Sequence, residues 1–218
     1  MRRAVCVFFV ALTLLAQNTH PITGRRYAGV MGSAGADWLV RPEREAEEQP
    51  GRALDLIGIA KGSTAADIGA GAGYITWRLA ERVGPTGKVY ANDIQPEMLD
   101  LLRRNMRERK LENVETVLGA IDDPKLPADA VDLVILVDVY HEFSKPQEML
   151  RKIREAMKPD GRLVLLEYRA EDPKVPIRAE HKMTVAQVKA ELEPEGFRLD
   201  KVIEDLPRQH ILIFKKTG

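Results

Sequence analysis

The chain has 218 residues, 33 basic against 33 acidic side chains, and one cysteine. That length suits one domain with a full core, and the balanced charge names no polyanionic partner. Cys6 alone builds no disulfide framework, cysteine zinc cluster or iron–sulfur cluster within the chain, and a cysteine nucleophile is disfavoured.

MRR followed by AVCVFFVALTLLA (4–16) is a short basic region ahead of an apolar run, the pattern of an export signal. The run is short for a membrane span of about 20 residues. An uncleaved N-terminal anchor and a wrongly assigned start are the alternatives. Residues 17–36, rich in Gly, Thr and Ser, read as an extended arm. WLVRPEREAEEQP (38–50) reads as a charged helix with Pro42 near its start and Pro50 near its end, and GRALDLIGI (51–59) as a second, short helix.

From Lys61 strands and helices alternate: TAADIG then YITWRLAERV, KVYAND then QPEMLDLLRRNMRER, NVETVLG, and the strongly apolar VDLVILVD. KPQEMLRKIREAM is a helix, KPDG a turn, and RLVLLEY a strand. Short, nearly all-apolar strands between amphipathic helices predict a parallel sheet covered on both faces. TVAQVKAELEPEG is a last helix, and FRLDKVIEDL and HILIFKK read as two strands joined by PRQ, an antiparallel ending. The basic run RRNMRERK (103–110) sits in an amphipathic pattern and reads as a solvated helix face, so no nucleic-acid partner is expected.

DIGAGAG (67–73) is a glycine loop between a strand and a helix, a device for nucleotide-like ligands. Its spacing is GxGxG, with Asp67 two residues ahead of the first glycine. A carboxylate there repels a pyrophosphate and attracts a cationic ligand, which favours S-adenosylmethionine over NAD. Asp93 closes the next strand, where a carboxylate accepts hydrogen bonds from ribose hydroxyls; helix N-capping ahead of Pro96 is its structural alternative.

DIGAGAG, NDIQPEML, VDLVILVDVYHEF and KPDGRLVLLEY, in that order, resemble the class I S-adenosylmethionine-dependent methyltransferases. The resemblance covers roughly residues 50–215 and makes 51–218 the methyltransferase domain. It implies a Rossmann-like α/β fold, a seven-stranded sheet ordered 3-2-1-4-5-7-6 with strand 7 antiparallel, and S-adenosyl-L-methionine as cofactor. It implies that Gly69, Ala70, Gly71 and Gly73 line the methionine half, Asp67 lies beneath, Asp93 holds the ribose, and Ile94 meets the adenine face. The family's aspartate after strand 3 has no counterpart in LGAIDDPKLP, where Ala120 stands in its place; Asp122 or Asp123 replaces it, Asp122 preferred.

DVYHEFSKP (138–146) lies where the family's methyl group and substrate meet. It offers Asp138 on the cofactor side, His141 as a general base, Glu142 as a base or, with Asp138, a metal ligand, and Tyr140 to orient the acceptor. The ligand cluster is too thin to predict a bound metal. The polar segment 167–184, with Tyr168, Arg169, Arg178, His181 and Lys182, forms either a substrate wall or a surface loop, and the arm around Trp38 can close the opposite side. The absence of cysteines beyond Cys6 disfavours an arsenite acceptor, and the lack of an Asn-Pro-Pro-Tyr-like motif weakens amino-group or nucleobase methylation. A small-molecule oxygen or carbon acceptor is expected. A non-catalytic binding module of the same fold is the alternative, and an NAD-dependent dehydrogenase a more distant one.

Overall fold

Apolar runs of five to seven residues, too short for core helices, fold as the strands that the alternation predicts. A computed structural model describes residues 18–217; the export-signal or anchor segment 1–16 lies outside them. In chain order the helices are α1 (Ala36–Leu39), α2 (Arg44–Glu48), α3 (Pro50–Ile57), α4 (Thr76–Val83), α5 (Pro96–Glu108), α6 (Pro146–Ala156) and α7 (Val185–Leu192). The strands are β1 (Thr64–Ile68), β2 (Lys88–Asp93), β3 (Val114–Leu118), β4 (Val131–Val137), β5 (Met157–Arg169), β6 (Lys182–Met183), β7 (Phe197–Ile203) and β8 (Gln209–Lys216).

They form one sheet in the order β3-β2-β1-β4-β5-β8-β7, with β6 paired to the end of β5. Setting aside that two-residue strand, this is the expected order. β1 to β5 run parallel, and β8 enters antiparallel between β5 and β7. One face buries Leu150, Ile153, Phe197 and Phe214 beneath α6 and α7. The other buries Leu54, Leu79, Val83 and Ile135 beneath α3 and α4. Asp132 braces the sheet's lower edge, accepting the Thr64 N–H at 2.8 Å and the Lys158 ammonium at 2.8 Å.

Proline placement corrects part of the sequence reading. Pro50 opens α3 instead of ending its predecessor, because a first-turn proline lacks an N–H that the helix does not use. Pro42 separates α1 from α2, so the single charged helix expected over 38–50 is two short ones. KPDG does not stand outside the strand. Register between β4 and β5 jumps from Val131↔Met157 to Leu133↔Arg162, so the turn is a bulge within β5. β7 ends at Ile203, making the hairpin connection longer than PRQ and leaving Gln209 in β8.

The arm is fastened to the domain. Thr19 bridges Arg26, and the Arg25 guanidinium reaches Glu191 on α7 at 2.9 Å. The fully buried Glu191 carboxylate also accepts the Tyr140 hydroxyl at 2.9 Å and that of Thr23. Arg25 donates to the His141 carbonyl at 2.9 Å, and the Ala28 N–H meets the same oxygen at 3.1 Å. The arm therefore holds the turn after β4 in place.

Candidate active site

Open parallel sheets bind ligands beyond the carboxyl ends of their strands, where neighbouring connections diverge. Here β1 and β4 diverge, and a cavity of about 520 Å³ opens above them. One wall is the glycine loop with Asp93, Ile94 and Gln95; the other comprises residues 137–139 and 141–144, and Trp38, Met31, Ile177 and His181 enclose it.

The loop's form follows from its glycines. Gly69 has φ of +71°, and a Cβ on it would lie 2.5 Å from Val139 Cγ2, so the approach of the β1 and β4 connections requires glycine. The Gly71 N–H donates to Asp93 Oδ2 at 2.9 Å, while Asp93 Oδ1 accepts the Gln95 N–H at 2.9 Å. Asp93 thus ties the loop to the start of α5 and still faces the cavity. Asp67 lies beneath, 2% exposed, accepting the Thr76 hydroxyl at 2.6 Å. Burial pushes its carboxyl up to about 7; Asp93 adds to the shift, and Thr76 and Arg44 offset part of it.

The opposite wall is built on charge pairs. His141 is 2% exposed. Its Nδ1 lies 2.6 Å from Glu167 Oε2, and its Nε2 lies 3.1 Å from His181 Nδ1. Glu167 Oε1 accepts the Tyr140 N–H at 2.9 Å, which fixes the carboxylate. Burial opposes charge on His141, but Glu167 outweighs it and holds the imidazole above its ordinary pKa. Burial, with His141 adding, pushes His181 down. Glu142 is pushed up to about 7 by burial, with Glu167 and Asp93 adding and His141 opposing.

At the floor, Arg44 pairs with Glu48, Nε to Oε1 at 2.8 Å, and the Tyr168 hydroxyl donates to the same oxygen at 2.8 Å. Burial works against the guanidinium's charge, yet Glu48 holds its pKa above the ordinary value. Asp138 stands beside them at φ +56°, a left-handed conformation that non-glycine residues seldom adopt. Gln209 Nε2 holds its two oxygens at 2.8 and 2.9 Å, and Arg44 lies 3.5 Å away. Burial raises the Asp138 carboxyl, and the nearby Glu48 raises it further.

The expected site residues divide. Asp67, Gly69, Ala70, Gly71, Asp93, Ile94, Asp138, His141 and Glu142 all line the cavity. Gly73 does not; with φ of +89° it lets the loop pack on Leu102 and Met106, which a Cβ would meet at 3.0 Å. Asp122 faces away, 3.7 Å from Lys145, and Asp123 is held by Lys125. Ala120 and Ile121 line that stretch instead, so its wall is apolar and neither aspartate supplies the expected contact. Tyr140 is fully buried with its hydroxyl on Glu191, and orients no ligand in the cavity. His141 reaches the wall, and its second ring nitrogen, Nε2, meets His181 Nδ1.

Sequence reasoning missed Arg44, Glu48, Glu167 and Glu191 and left His181 undecided. Two of these had a signal. Glu167 interrupts the apolar run RLVLLEY, and Glu191 falls on the apolar helix face with Val188 and Leu192. A carboxylate in such a place needs a partner.

A glycine loop ahead of a helix, a carboxylate beneath it and another at the end of β2 define a nucleoside-binding transferase site. A family model described as "Methyltransferase domain" matches residues 59–205, and the chain belongs to that family. A solved S-adenosylmethionine-dependent methyltransferase from Aquifex aeolicus superposes with a TM-score of 0.80 at 27% identity, covering 85% of this chain and 98% of that one. Arsenite methyltransferase of Halobacterium salinarum is 33% identical over 107 residues, which is 49% of this chain and 27% of that protein. Ubiquinone/menaquinone biosynthesis C-methyltransferase UbiE of Escherichia fergusonii is 30% identical over 116 residues, 53% of this chain and 46% of the relative. The chain thus spans less than half the length of these curated relatives.

Residues 59–205 are a methyltransferase domain, and the cavity fits S-adenosylmethionine. Asp67 is buried with its carboxyl raised, a group that a ligand's ammonium would return to its charged form. At Gly69 and Gly71 the loop presents bare backbone to the cavity, and the Asp93 carboxylate stands beside it.

Proposed function

We propose that the chain methylates an oxygen or carbon of a small molecule held between the glycine loop and the corner formed by His141, His181 and Glu142. One observation carries this reading: the cofactor-binding loop and that corner face each other across one cavity. When bound, S-adenosylmethionine supplies an electrophilic methyl group. Asp67, Gly69, Gly71 and Asp93 would hold it at the loop, and Ala120 and Ile121 would flank it with apolar surface.

The chain's work is then alignment and water exclusion. Met31, Trp38 and Ile177 give the acceptor an apolar enclosure, and the corner engages its polar end. Arsenic chemistry suits this cavity poorly, since the chain's one cysteine is Cys6 and no thiol among the described residues lines the wall. The C-methyltransferase relatives make an enolic or phenolic ring an apt acceptor. Incubating the purified chain with methyl-labelled cofactor and a panel of phenols, enols, quinols and amines tests the reading. Label should pass to a ring carbon or oxygen; transfer confined to amines would overturn it.

Residues 1–16 would act as an export signal. Fractionation of cells expressing the full chain should recover it outside the cytoplasm, and recovery in the cytosol would refute export.

A further inference from the structure

We propose that His141, His181 and Glu142 bind one divalent first-row transition ion, whose open positions face the cavity and take an oxygen of the acceptor. The proposal rests on the reading of the cavity as the acceptor's chamber. It narrows the acceptor to a molecule with a hydroxyl, enol or keto oxygen beside the methylated atom.

The donors come from two separate stretches. His141 and Glu142 lie on the 3₁₀ turn Tyr140–Glu142 after β4, and His181 ends the turn Ala179–His181 just before β6. Pairing of β6 with the end of β5 carries the second turn over the first. One ligand atom from each of the three residues lies within 4.8 Å of the others. His141 Nε2 and His181 Nδ1 are 3.1 Å apart. Two metal–nitrogen bonds of about 2.05 Å spanning that gap would enclose an angle of roughly 100°, between the octahedral and tetrahedral values.

The surroundings favour an ion as well. Glu167 grips His141 Nδ1 at 2.6 Å with both residues out of water. A carboxylate on the far nitrogen of a ligating histidine fixes its tautomer and turns the other lone pair to the metal. Glu167 is itself pinned by the Tyr140 N–H, so the imidazole is aimed before anything binds. Asp67, Asp93, Asp138 and Glu142 line the cavity, against the guanidinium groups of Arg44 and Arg178. Two nitrogens and one carboxylate select a transition ion over magnesium or calcium, which take oxygen. Three protein ligands leave positions for an acceptor, and a bound ion lowers the pKa of an attached hydroxyl, so no imidazole need take its proton.

Cobalt(II) is the probe, titrated into the full chain after chelation and desalting, and followed by its visible absorption and by calorimetry. One ion per chain should bind, and excess magnesium should not displace it. His181→Ala should weaken binding at least about 100-fold. Glu167→Gln should weaken it about 10- to 100-fold, the range for losing the partner of a ligating histidine. His181 is partly exposed, so its variant keeps the test alive where a His141 variant fails to fold. No bound cobalt, binding unchanged in His181→Ala, or displacement by magnesium would each overturn the site. Calorimetry of metal-free protein with S-adenosylhomocysteine runs alongside. If that ligand binds and cobalt does not, the metal site alone is wrong; if neither binds, the reading of the cavity fails with it.

Discussion

The two walls of the cavity are assembled in opposite ways. The cofactor wall is local: Asp67, Gly69, Gly71 and Thr76 fall within ten residues, and Asp93 ends the adjacent strand. The acceptor wall is convergent. Its centre, His141, is held by Glu167 from β5, faced by His181 from the turn before β6, and fastened through its carbonyl by Arg25 and Ala28 of the arm. A wall built from one motif can be kept while the other is rebuilt from distant segments, which suits a family with one cofactor and many acceptors.

The sharpest way to break the comparison is to unfasten the arm. Glu191→Ala would strand Arg25 in the interior without its anion and leave the Tyr140 hydroxyl without its acceptor. Removing one partner of a buried pair costs about 3–5 kcal/mol. Urea unfolding should show a loss of that size. A loss under about 1 kcal/mol would mean that the arm is an ornament and the acceptor wall stands without it.

The cofactor wall should respond in affinity more than in stability. Asp93→Ala should weaken S-adenosylhomocysteine binding by about 1.5–3 kcal/mol, the range for hydrogen bonds to a charged group. Some stability goes too, since the Gly71 and Gln95 N–H groups lose their acceptor. Unchanged affinity on calorimetry, with lowered stability alone, would make Asp93 a brace of the loop and not a ligand contact.

Asp67 gives that wall a pH signature. Its folded pKa of about 7 lies above the ordinary 3.8, so between those values the folded chain keeps a proton that the unfolded chain releases. Stability from this group is therefore full below about pH 4 and is lost as pH rises towards 7. Binding a cationic ligand runs the other way, because the ammonium prefers the ionised carboxylate. S-adenosylhomocysteine should bind about tenfold more weakly at pH 6 than at pH 8. Asp67→Asn should flatten that slope, and a slope kept in the variant would assign it to another group.

Legibility in the sequence followed the same division. The alternation of strands and helices, the antiparallel ending and the placement of Asp67 and Asp93 rest on patterns spanning a few residues, which a single chain displays, while the strand order came with the family resemblance. Tyr140 misled because it neighbours His141 in sequence, while the 3₁₀ turn sends its side chain into the core to Glu191. His181 stayed undecided because only the two-residue β6, pairing across to Tyr168 and Arg169, sets its place. Pairing between segments leaves no periodic mark, so the convergent wall had to be seen in three dimensions.

The smallest expected effect tests the edge between the walls. Asp122 is the preferred substitute for the family's aspartate after strand 3, whose place Ala120 takes, yet its side chain is half-exposed and faces Lys145 at 3.7 Å. Exposed pairs of this kind contribute little. Asp122→Ala should therefore change both stability and S-adenosylhomocysteine affinity by less than about 0.5 kcal/mol. Ile121→Asp, by contrast, should weaken the ligand, because it puts a charge into the apolar stretch that Ala120 and Ile121 give the cavity. A tenfold loss from Asp122→Ala would show that the loop after β3 turns inward on binding. The cofactor wall would then be completed by a moving segment, and the contrast between a preformed local wall and a convergent one would fall.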